Sequence, residues 1–81
     1  IHTPGHSPGS MCLLLDNRVF TGDTLFAGSI GRTDLYGGSY NNIIHSIKTR
    51  LFTLDERVIV YPGHGPCTTI GQEKQHNPFF Q

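Results

Sequence analysis

Met11-Cys12-Leu13-Leu14-Leu15-Asp16-Asn17-Arg18-Val19-Phe20-Thr21-Gly22-Asp23 sets an apolar run against a second one across an Asp-Asn pair and ends on Gly-Asp. Asp and Asn tolerate the backbone of a tight turn, so the stretch reads as a short β-hairpin that delivers the Asp23 carboxylate at a strand end. Upstream, Ile1 to Ser10 holds two Pro-Gly pairs, Pro4-Gly5 and Pro8-Gly9, and therefore forms a shaped loop that carries His2 and His6. Downstream, Leu25 to Gly38 contains glycines at 28, 31, 37 and 38 with no steady period and reads as an irregular excursion.

Ser39 is a suitable N-cap, and Ile43, Ile44, Ile47 and Leu51 fall on one face of a helix expected to run to about Thr53. Val58 to Tyr61 is the next strand, stopped by Pro62-Gly63 and followed at once by His64. Thr68 to His76 suits a last helix capped by Thr69 and ended by Asn77-Pro78. The expected order is strand, strand, helix, strand, helix, with no internal repeat.

At 81 residues the chain suffices for one small domain, and six basic residues balance six acidic ones. No global field draws it to nucleic acid or to an anionic membrane, and no apolar run approaches a membrane span. A soluble, cytoplasmic protein is expected. Two cysteines, Cys12 and Cys67, are too few for a disulfide framework and read as buried or half-buried thiols.

His6, Asp23 and His64 each sit in or beside a glycine-containing turn next to an expected strand, where a rigid scaffold displays functional groups. Two imidazoles and a carboxylate suit zinc, and a carboxylate is able to bridge two ions. Taken singly, each histidine also reads as an ordinary structural imidazole, and the spacing alone does not identify a metal site.

Three motifs carry a resemblance that covers essentially the whole chain: His2-Thr3-Pro4-Gly5-His6-Ser7-Pro8-Gly9-Ser10, Thr21-Gly22-Asp23-Thr24-Leu25-Phe26 and Tyr61-Pro62-Gly63-His64-Gly65-Pro66. Together they resemble the later metal-binding motifs of the metallo-β-lactamase superfamily, in that family's order. Gly31-Arg32-Thr33-Asp34 and the tail from Thr69-Ile70-Gly71-Gln72-Glu73-Lys74 through Asn77-Pro78-Phe79 resemble its hydroxyacylglutathione hydrolase (glyoxalase II-like) branch more than a true β-lactamase.

The resemblance implies an α/β fold, the C-terminal half of an αββα sandwich, with residues 1–81 a partial domain. His6 is then a ligand to one metal, Asp23 a bridge between two, and His64 a ligand to the second. His2 is left to a loop hydrogen bond, and His45 and His76 to the surface. The expected cofactor is a pair of zinc ions, with iron or manganese as substitutes. Arg32 and Lys74 are the basic residues placed to meet a carboxylate of a small-molecule thioester substrate, hydrolysed by metal-activated water. The family's His-x-His-x-Asp-His signature has no counterpart here. The chain is accordingly expected to be a piece of a longer protein, inactive and self-associating by itself. A mononuclear iron persulfide dioxygenase and a non-catalytic half-domain are the rival readings.

Overall fold

The computed structural model describes residues 1–81. The hairpin forms as expected. Strands β1 (Leu13–Leu15) and β2 (Arg18–Gly22) pair antiparallel, and Asp16, the single non-glycine residue with positive φ (+54°), makes the turn between them. A two-residue turn of this kind requires the left-handed region, which Asp enters at lower cost than most residues.

The excursion is more ordered than its sequence suggests. Strands β3 (Leu25–Phe26) and β4 (Ser29–Ile30) form a second, minimal hairpin, turned at Ala27-Gly28 with Gly28 at φ +74°. Two residues per strand are too few to display a period of two, which is why the expectation of irregular structure held only for the segment after Ile30.

Helix α1 (Tyr40–Ser46) is capped by the Ser39 hydroxyl, which accepts from the Asn42 N–H. It continues as a wider π-helical segment, Ile47–Leu51, rather than as the uniform α-helix expected to Thr53. A spacing of four advances an α-helix by about 400°, so Ile43, Ile47 and Leu51 would drift off one line by about 40° per step. The wider turn takes back that drift, and all three side chains are fully buried.

Strand β5 (Ile59–Pro62) pairs parallel to β2, and β6 (Thr68–Thr69) pairs antiparallel to β5, giving one sheet in the order β1-β2-β5-β6. Helix α2 (Ile70–His76) follows, capped by Thr69 and ended at Asn77 before a 3₁₀ turn, Pro78–Phe80. The core lies on one face of the sheet, where Val19 and Val60 meet Ile43, Ile47, Leu51 and Ile70.

The other face is apolar and uncovered. Cross-strand register aligns Leu13 with Phe20 and Phe20 with Tyr61, and the Phe20 and Tyr61 rings stack with centroids 5.2 Å apart. Leu13, Leu15, Phe20 and Ile59 are all exposed on or beside this row. A sheet in a layered fold buries such a face against another element. No helix is long and apolar enough to cross a membrane.

The two cysteines differ. Cys12 is buried, and burial pushes its thiol above the ordinary value despite hydrogen bonding with Thr3. Cys67 is exposed, contrary to the expected half-buried thiol, because the loop after Gly65-Pro66 runs over the surface. Thiol titration with a disulfide reagent near pH 8 is expected to show one fast thiol per chain and a second only on unfolding. Two fast thiols would contradict the burial of Cys12.

Candidate metal centre

Three chain segments converge at one end of the sheet. Strand β2 ends at Gly22 (φ +52°), and Asp23 follows it directly. Strand β5 ends at Pro62, and Gly63 donates its N–H to the Gly22 carbonyl at 2.8 Å, so His64 emerges beside Asp23. The loop bearing His6 reaches the same place because Gly5, at φ +147°, lies against Ile43 of α1 where a Cβ would sit 2.3 Å from backbone.

The Nε2 of His6 lies 3.6 Å from Asp23 Oδ2, and the Nε2 of His64 lies 3.5 Å from Asp23 Oδ1. Both separations exceed a good N–H···O bond. The two rings approach different oxygens of the carboxylate, so the three side chains do not close around a single point. That is the arrangement of a carboxylate placed between two imidazoles.

His6 is oriented from behind. Its Nδ1 lies 2.8 Å from the carbonyl oxygen of Arg32, and since a carbonyl only accepts, Nδ1 carries the proton. In the neutral ring Nε2 is then a lone pair facing a carboxylate oxygen, two acceptors with no hydrogen between them. A cation relieves that opposition, and a backbone carbonyl behind the far nitrogen is the usual support of a metal-ligating histidine. The donor set fits one or two borderline divalent ions. Side-chain exposure rises from 23% at His6 through 49% at Asp23 to 74% at His64, so His6 is the anchored end of the site and His64 the open one. Phe26 lies against the His64 ring, with centroids 5.5 Å apart.

The cluster opens into a cleft of about 520 Å³ walled by Phe26 and Ile30 and rimmed by Arg32. The Arg32 guanidinium donates to both oxygens of Asp34, at 2.9 and 3.1 Å, which lowers the Asp34 pKa and raises that of Arg32. Lys74 is not brought to the cleft. It lies on α2 with Nζ 3.9 Å from Glu56, because the helix presents that position to solvent. His2 is held within its loop, its Nε2 donating to the Pro8 carbonyl at 2.7 Å, while His45 and His76 are exposed. Sequence reasoning missed Gly31. A Cβ at this buried position would lie 1.7 Å from the Asp23 carbonyl oxygen, and the residue's only sequence signal is its place in the Gly31-Arg32-Thr33-Asp34 motif.

The sheet, the cleft and the His-Asp-His cluster at the strand ends form a scaffold with a candidate metal site, and comparison with known proteins gives its family. The model of the metallo-beta-lactamase superfamily matches residues 1–64. The chain belongs to that superfamily. It is 49% identical to hydroxyacylglutathione hydrolase GloC of Haemophilus influenzae over 98% of this chain and 38% of that protein. Among solved structures, the BLEG-1 B3 metallo-beta-lactamase superposes with a TM-score of 0.96 at 54% identity, over 99% of this chain and 39% of that one. TTHA1623 in a di-iron-bound form superposes at 0.93 with 47% identity, over 98% and 40%. The chain thus spans about 38% of the length of the curated relatives it matches.

Gly31→Ala is expected to lower stability by about 1–3 kcal/mol, the range of overpacking in a tight site. Gly9→Ala, which meets nothing within 4 Å, is expected to change it by less than about 0.5 kcal/mol. Urea denaturation of both variants checks this, and equal effects would contradict the close approach at Asp23.

Proposed function

We propose that the chain supplies one portion of the metal site of a hydrolase acting on hydroxyacylglutathione-type thioesters. The observation that carries the reading is the Asp23 carboxylate, which turns one oxygen to His6 and the other to His64. In this reading Asp23 would hold both ions, with His6 on the first and His64 on the second. Zinc is the favoured metal on the chemistry of the donors, with iron or manganese as substitutes. A metal pair supplies Lewis acidity, lowering the pKa of a water toward neutrality and polarising the scissile carbonyl.

The chain's own residues set the geometry around that chemistry. The Arg32 carbonyl holds the proton of His6 on Nδ1 and keeps Nε2 aimed into the cleft. Phe26 and Ile30 give the cleft an apolar wall that suits the acyl and thioester part of a substrate, and the exposed Arg32 guanidinium at the rim suits a carboxylate of the thiol portion. Lys74, away from the cleft, is given no part in substrate binding. Thiolate is a good leaving group and needs no strong general acid. In this reading the remaining ligands, and a cover for the open apolar face of the sheet, belong to a portion matching the part of the relatives outside the aligned segment.

The test is elemental analysis for metal together with hydrolysis of lactoylglutathione. Both are measured on the 81-residue chain and on the full native reading frame that contains it. The full frame is expected to hold about two metals and cleave the thioester, and the isolated chain to do neither and to self-associate in light scattering. One iron with oxygen consumed in the presence of a persulfide would replace the hydrolase reading by a dioxygenase. Cleavage of a β-lactam but no thioester would replace the substrate class.

A further inference from the structure

Glu73, on α2, is the single buried carboxylate of the chain. Its Oε1 accepts from the Gly28 N–H at 2.8 Å and from Asn77 Nδ2 at 2.9 Å, and its Oε2 accepts from the Thr68 hydroxyl at 2.7 Å. Asn77, one helical turn on and also buried, donates from Nδ2 to the Ser29 carbonyl at 3.1 Å. The two side chains therefore grip the β3–β4 hairpin at its turn, one by an N–H and the other by the next carbonyl.

That hairpin has only two paired residues on each side and is too short to hold itself. It nevertheless supplies Phe26, Ser29 and Ile30 to the cleft and leads directly into Gly31 and Arg32. Gly31 is bonded back to the Thr24 carbonyl at 3.0 Å, and the Arg32 carbonyl holds His6. Helix capping does not explain Glu73, because Thr69 caps α2 through Gln72. Hydrophobic packing does not explain it either, since burying a carboxylate is unfavourable unless its bonds are all made, and an apolar side chain fills space at lower cost.

We propose that Glu73 and Asn77 are positioning residues of the candidate metal centre. They act as a clamp from α2 that fixes the β3–β4 hairpin and, through the Arg32 carbonyl, the ring of His6. The clamp is a property of this chain's own contacts, while its consequence for metal binding rests on the function proposed above.

The experiment compares Glu73→Ala, Glu73→Gln and Val58→Ala in the full native reading frame. Val58 is a buried core residue outside the clamp and serves as a control for lost stability. Two readouts are taken on metal-free protein: amide exchange across residues 28–32, and the imidazole ¹⁵N shifts of His6, which report its tautomer. A third is Co²⁺ affinity by absorption titration. Glu73→Ala is expected to speed exchange at the hairpin at least tenfold, to abolish the Nδ1–H preference of His6, and to weaken Co²⁺ binding about tenfold. Glu73→Gln is expected to rescue all three, because Gln still accepts from Gly28 and Asn77 while Thr68 reverses its hydroxyl. Val58→Ala is expected to lower the Tm without these changes.

Unchanged exchange and tautomer in Glu73→Ala, or the same changes in Val58→Ala, would overturn the clamp. Loosened hairpin and tautomer in a protein that binds no Co²⁺ even as wild type would sustain the clamp and sink the metal reading instead.

Discussion

Gly63 donates its backbone N–H to the carbonyl of Gly22 at 2.8 Å, and the rest of the candidate centre depends on that contact. It locks the ends of two parallel strands side by side, so the residues that follow, Asp23 and His64, leave the sheet at the same point. A Cβ at Gly63 would lie 3.1 Å from the same carbonyl, and one at Gly31 would collide with the Asp23 carbonyl. Close backbone approach, permitted by glycine, thus sets where three side chains meet before any metal is considered. The side chains themselves then need little adjustment. His6 is fixed through Nδ1 and Asp23 by its turn, while the exposed His64 ring has only Phe26 alongside it.

The parts of this arrangement differ in how far they can be read from sequence. The β1–β2 hairpin, the buried stripe of Ile43, Ile47 and Leu51, and the caps at Ser39 and Thr69 depend on neighbours within a few residues, and local pattern exposes them. His6, Asp23 and His64 were legible as candidates because each lies beside a glycine at a strand or loop end. Their convergence was not, since it is made by contacts across the fold. The Arg32 carbonyl that orients His6 is 26 residues away in sequence, and the Gly28 amide held by Glu73 is 45 residues away. Backbone carbonyls and amides leave no trace in residue type. Arg32 was singled out for its charge, yet the bond that reaches the site comes from its main chain.

The sheet divides the molecule into two unequal environments. One face packs against α1 and α2 around Val19 and Val60, and the other presents Leu13, Leu15, Phe20, Ile59 and Tyr61. The candidate centre and the open face share β2 and β5, the strands that carry the exposed row and end beside Asp23 and His64.

In the proposed arrangement Asp23 stands between two metal ions, one on the side of His6 and one on the side of His64. Anomalous diffraction from crystals of the metal-loaded full native reading frame tests it most directly. Two peaks roughly 3.5–4 Å apart, each nearest a different oxygen of Asp23, are the expected result. A single peak, or a pair that leaves Asp23 uncoordinated, would contradict it.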